Sequence, residues 1–148
     1  MFKRFFNNKK TGIKYHNEKN EVVIIDENDI NKIDIYGYTP LISTIRKGSF
    51  ELIKQIILNG ANIYQEDTNN FTPLMTAIYT NKLDSIIFLI QNRIDINKEN
   101  SGGHTPLSYA IVQNKLEVIK ILIENGADIN SENIGASHSL LLYAIQEN

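Results

Sequence analysis

The sequence predicts an all-α solenoid of stacked helix pairs, and three observations carry that fold class. Thr39-Pro40-Leu41 returns as Thr72-Pro73-Leu74 and again as Thr105-Pro106-Leu107, each time after 33 residues. Behind each of these, apolar residues recur at i, i+3 and i+4 as Ile53/Ile56/Ile57, Ile86/Leu89/Ile90 and Ile119/Leu122/Ile123, which is one face of a helix. Further series keep the same step or its double: Asp34, Asp67, Asn100 and Asn133; Gly60, Arg93 and Gly126; and the tails Asp29-Ile30-Asn31, Asp95-Ile96-Asn97 and Asp128-Ile129-Asn130. Independent series sharing one period mark a repeat in which each unit buries its apolar face against the next.

The elements of one repeat follow from local chemistry. Thr-Pro-Leu is a helix start, because the Thr hydroxyl accepts from an orphan N–H and Pro at the first helical position surrenders no hydrogen bond. The short first helix runs through Ile45, Ile78 and Ile111 and should stop at Gly48, Asn81 and Asn114, residue types that tolerate the left-handed conformation. The second helix should end at Gly60, Arg93 and Gly126. A left-handed Arg is strained by about 1 kcal/mol relative to Gly, so the end of the second repeat is the weakest joint. The polar stretch before the next Thr-Pro-Leu is long enough for a projecting turn.

These features together resemble the ankyrin repeat: Thr-Pro-Leu, the Gly/Asn turn, the apolar second helix and Gly-Ala-Asn/Asp. The resemblance covers residues 29–148 as full repeats at 34–66, 67–99 and 100–132 and a partial repeat at 133–148. In that partial repeat Leu141-Leu142-Tyr143-Ala144-Ile145 matches Leu107-Ser108-Tyr109-Ala110-Ile111 with one residue inserted, and Ser139-Leu140 stands for Thr-Pro. Its single helix should serve as a C-terminal cap or as a self-association surface. Where the family commonly has His after Thr-Pro-Leu, this chain has Ile42, Met75 and Ser108. Apolar packing is therefore expected to fix that layer.

Residues 1–28 read as a non-repeat segment or a degenerate N-terminal cap. Val22–Ile25 fits either the second helix of such a cap or one strand of a hairpin with Ile13–Tyr15 across Asn17–Asn20, and the β-branched run favours the hairpin. Residues 1–19 carry a net charge of +5 and the remainder −7. Phe2, Phe5 and Phe6 stand among those cations, but Asn7-Asn8 interrupts the segment, which reads as a solvated or loosely packed N-terminus in preference to a membrane-surface anchor.

Composition narrows the function classes. The 148 residues carry a formal charge of −2, with 42% hydrophobic and 22% charged residues, which suits one small folded domain and gives no bulk attraction to nucleic acid. Ile and Asn number 25 and 19, an excess we read as a mark of an AT-rich coding sequence. The absence of Cys removes disulfides, thiolate metal sites and thiol nucleophiles. No apolar run approaches the ~20 residues of a membrane helix and no secretory leader is recognised, so a cytoplasmic location is expected. No phosphate loop, dinucleotide fingerprint, HExxH or GxSxG motif occurs. Ser137-His138-Ser139 lacks an orienting acid, and Asn70-Phe71-Thr72 fits the glycosylation sequon at a residue already assigned to capping. Neither enzyme activity nor a metal or cofactor is expected.

The resemblance implies binding of another protein through the projecting turns and first helices. Carried over position by position, the contact residues are Ile35, Tyr36, Tyr38, Arg46 and Lys47; Thr68, Asn69, Phe71, Tyr79 and Thr80; Ser101, His104, Val112 and Gln113; and Ile134 and His138. Tyr38, Phe71, His104 and His138 share one position in successive turns and are expected to form a ladder of rings, the residue class that dominates binding hot spots. The negative repeat body suggests a basic partner. Small ankyrin proteins of this kind resemble bacterial immunity proteins that neutralise a cognate toxin; a scaffold or host-directed adaptor with several partners, and a membrane-associated regulator acting through the basic N-terminus, are the alternatives.

Overall fold

The computed structural model describes residues 12–17, 19–25 and 28–129. The chain divides into two compact units between Pro73 and Leu74. The basic segment Met1–Lys10 and the partial repeat 133–148, with its expected capping helix and His138, lie outside the described residues.

The first unit opens with an antiparallel pair, β1 (Ile13–His16) and β2 (Val22–Ile25), in a register running from Ile13↔Ile25 to His16↔Val22. The turn between them is organised by Asn17, whose Oδ1 accepts from the backbone N–H of Lys19 and of Glu21 at 3.1 and 3.0 Å while its amide donates to Glu21 Oε2. Asn20 supplies the left-handed residue, with φ 64°. The hairpin expectation for Val22–Ile25 therefore holds over the helical one, and the all-α expectation is corrected. Among the described residues, six helices form a helical repeat fold that also carries a small two-stranded sheet. β1 packs against both helices that follow it, so this pair occupies the place expected of a degenerate helical cap.

Those helices are α1 (Pro40–Lys47) and α2 (Phe50–Leu58). Thr39 Oγ1 accepts from the Ile42 N–H at 3.2 Å, Pro40 takes the first turn, and Gly48 at φ 81° ends α1. Arg46 and Lys47 in the last turn complement the negative end of the helix dipole. Leu41, Ile42 and Ile45 of α1 and Ile53 and Ile56 of α2 are buried with Ile25 and Tyr15. Tyr15 is only 2% exposed; burial, followed by the nearby Asp34 charge, pushes its phenol up to about 12.

The second unit holds α3 (Pro73–Tyr79), α4 (Leu83–Gln91), α5 (Pro106–Val112) and α6 (Leu116–Glu124). Its apolar core repeats the 33-residue step: Ile86 and Leu89 of α4 and Ile119 and Leu122 of α6 are fully buried, as are Ile53 and Ile56 in the first unit. Ile57, Ile90 and Ile123 sit half-exposed at the margin of that face. The predicted helix stops are observed, with Asn81, Arg93 and Asn114 at φ 55°, 58° and 55°. Expected apolar packing holds at Ile42 and Met75, both buried, but is corrected at Ser108. There a reciprocal capping box forms, Thr105 Oγ1 accepting from the Ser108 N–H and Ser108 Oγ from the Thr105 N–H, because a hydroxyl at the third helical position can reach back to the cap.

Successive tails are tied by a side-chain staple. Asn31 Oδ1 accepts from the Asn62 N–H at 2.7 Å in the first unit, and Asn97 Oδ1 accepts from the Asp128 N–H at 2.7 Å in the second.

Two outcomes follow from these features. Because the folded Tyr15 phenol ionises near 12 and the unfolded one near 10, its contribution is complete below pH ~10 and lost as pH rises to ~12, a change of about 2–3 kcal/mol. Urea melts should fall through that window, and Tyr15→Phe should flatten the fall. Arg93→Gly should raise stability by about 1 kcal/mol by removing left-handed strain, measured as a shift in urea midpoint at unchanged slope.

Candidate protein-binding face

The three projecting turns are built on one device. Asp34 Oδ1 accepts from the N–H groups of Tyr36 and Tyr38 at 2.9 and 3.0 Å. Asp67 Oδ1 does the same for Asn69 and Phe71 at 2.8 and 2.9 Å, and Asn100 Oδ1 for Gly102 and His104 at 3.1 and 2.8 Å. The backbone completes each ring, with the N–H of Asp34, Asp67 and Asn100 donating to the carbonyl of Tyr38, Phe71 and His104 at 2.9, 3.0 and 2.9 Å. Each ring-bearing residue is thus held through both backbone groups, and the short polar side chain substitutes for a longer stretch of sheet.

A left-handed residue closes each turn: Gly37, Asn70 and Gly103. Gly37 has a second reason to be Gly, because a Cβ there would run into the Thr68 side chain. That closeness permits the Thr68 N–H to donate to the Gly37 carbonyl at 3.0 Å, joining the first turn to the second.

On this frame the first unit carries half of the expected contact residues. Ile35 is 89% exposed at the tip, an unusual place for an Ile, with Lys47, Thr68 and Asn69 also exposed. Tyr36, Tyr38 and Phe71 are half-exposed. Tyr38 carries the Arg46 guanidinium over its ring at 4.9 Å from the centroid, and Tyr36 carries the Lys19 ammonium at 5.3 Å. Such pairing orients both rings and keeps each cation over an apolar surface.

In the second unit His104 and Ser101 are exposed in the third turn, and Val112 is exposed on the last turn of α5, with Gln113 as its C-cap. Tyr79 ends α3 at 50% exposure. It lies near Tyr109, whose phenol is held above its ordinary value first by burial and then by Tyr79. The structure thus places Tyr38 and Phe71 in adjoining turns of one unit and His104 in the equivalent turn of the other; Ile134 and His138, the remaining expected positions, lie outside the described residues.

Two contributors escape the positional reading. Tyr109 stands where the earlier repeats have Ser43 and Thr76, so a ring at an otherwise small, hydroxylated position was its available signal. Lys19 reaches Tyr36 from the hairpin turn, and no spacing in the sequence announces that approach. Among the described residues, no group of three or more His, Asp or Glu could hold a metal, and no helix is long and apolar enough to cross a membrane.

The brace generates a specific expectation. Asp67→Ala should cost about 2 kcal/mol, since two N–H groups lose a charged acceptor, and should speed amide exchange at Asn69 and Phe71. Asp67→Asn should retain protection there, because Asn100 performs the same task with an amide oxygen.

Residues 13–100 and 44–133 match the family profile described as ankyrin repeats (3 copies). No curated protein sequence matches the chain.

Proposed function

Because the chain belongs to the ankyrin-repeat family, whose repeats act as protein-interaction modules, we propose that it binds one protein partner through its projecting turns and first helices and blocks that partner's activity. The observation that supports this reading is the bracing of the turns. Ile35, Tyr36, Tyr38 and Phe71 are presented on backbone already fixed by Asp34 and Asp67, so little conformational freedom is lost when a partner docks. Tyr79, His104 and Gln113 extend the candidate set into the second unit, with Arg46, Lys47 and Asn69 beside the first-unit rings.

Blocking, as in an immunity protein that neutralises a cognate toxin, is the finer part of the proposal. A module that offers braced side chains and no reactive constellation among its described residues acts by covering a surface. The net −7 outside residues 1–19 favours a basic partner steered at long range. A cytoplasmic site of action belongs to the same proposal.

Crosslinked capture with wild type and with Tyr38→Ala/Phe71→Ala, read by mass spectrometry, tests the site. One protein captured by wild type and reduced at least ~10-fold by the double substitution is expected for two hot-spot rings; undiminished capture overturns the assignment to this face. With the partner in hand, association should slow severalfold between about 50 and 500 mM salt, and saturation should abolish the partner's activity. A partner fully active at saturation rules out the blocking role.

A further inference from the structure

Among the described residues, the outer edge of the hairpin is an open template. The Asn17 N–H donates to the Glu21 carbonyl, so in the register Ile13↔Ile25 to His16↔Val22 the hydrogen-bonded pairs are Tyr15↔Val23 and Ile13↔Ile25, alternating with the others. The N–H and C=O groups of Val22 and Ile24 therefore point away from β1. Among the described residues no strand pairs with them. Their side chains are also 60% and 59% exposed on one face. Edge strands are ordinarily guarded by a charge, a Pro or a bulge, and Val22-Val23-Ile24-Ile25 contains none of these.

We infer that β2 pairs antiparallel with β2 of a second copy of this chain, forming a four-stranded sheet across a two-fold axis at Val23. The register is self-complementary. Residues with outward backbone groups must face each other, and the register that engages both of them in both copies sets Val22 opposite Ile24 of the second copy and Ile24 opposite Val22, with two hydrogen bonds in each pair. The exposed face then closes over itself, since those four apolar side chains meet on one side of the sheet. Charge selects the orientation. An antiparallel pair places the two Glu21 side chains at opposite ends, about 14 Å apart at ~3.4 Å per residue and beyond the ~8 Å screening length, whereas a parallel pair would set them side by side. Two exposed side chains from each copy and four strand bonds in all bury less than the ~1,200 Å² of a standard stable interface. The dimer therefore forms and dissociates with concentration.

The absence of Cys from the chain makes the register directly testable. Val23 and its symmetry mate form a non-hydrogen-bonded pair, with Cα atoms about 4.5 Å apart, inside disulfide range. Under mild oxidation, Val23→Cys should give a disulfide-linked dimer at least ~10-fold faster than Val22→Cys, whose mate lies two pairs away, beyond disulfide range; equal rates, or no dimer from Val23→Cys, overturn the register. In sedimentation equilibrium the wild-type mass should climb from one chain toward two as concentration rises about 100-fold around the dissociation constant. Ile24→Lys, checked for folding by its thermal melt, should stay at one chain. A wild type that remains a single chain to millimolar concentration overturns the proposal and leaves the edge to a strand of another protein. A dimer that survives Ile24→Lys assigns self-association to another surface, residues 133–148 included, and overturns it as well; if Ile24→Lys fails to fold, the cysteine pair decides.

Discussion

A single oxygen atom at the start of each turn supports the presentation of the candidate face. Asp34, Asp67 and Asn100 each satisfy two N–H groups that would otherwise need a neighbouring strand, which lets a five-residue excursion hold its shape with almost no core of its own. The substitution of Asn for Asp at the third turn shows that the acceptor geometry is the requirement and the charge is incidental to it. In the first turn the same residue has a second consequence: the other carboxylate oxygen of Asp34 is buried without a hydrogen-bond partner among the described residues, and the Asp34 charge helps keep the Tyr15 phenol neutral. The turn that offers Ile35 and Tyr38 outward is thus coupled inward to the hairpin that packs on α1 and α2.

Bracing also explains why exposed apolar residues are tolerated here. Ile35 at a turn tip would be an aggregation hazard on a loose loop, but a fixed backbone limits how it can approach other surfaces. Arg46 over Tyr38 and Lys19 over Tyr36 act in the same direction, since each ring presents one face to a cation that also keeps it hydrated.

How much of this was legible in the sequence depended on how local each cause is. Thr-Pro-Leu starts a helix through chemistry confined to four residues, and Asn81, Arg93 and Asn114 are left-handed because the helix ends there; both were readable. The hairpin was half readable: the β-branched run favoured it, while the decisive element is the Asn17 side chain closing the turn on Glu21. The Asp34/Asp67/Asn100 and Asn31/Asn97 series were visible as periodicity, but a period does not say which N–H each side chain will take. Ser108 departs from the apolar expectation because its hydroxyl belongs to the cap, a role that position in the repeat does not reveal. Lys19 on Tyr36 and Tyr109 beside Tyr79 arise from tertiary placement alone. For the candidate face, the turn residues were found by position and their rigidity only by geometry.

The Asn staples reach from residue 31 to 62 and from 97 to 128, so each closes a loop little more than thirty residues long. Loops of that size close quickly and at modest entropic cost. Once residue 62 has emerged from the ribosome, α1, α2, the hairpin and the first staple can all find their partners. The first unit can then order before the second is synthesised, and the edge of β2 is presented to the surroundings before α3 to α6 exist.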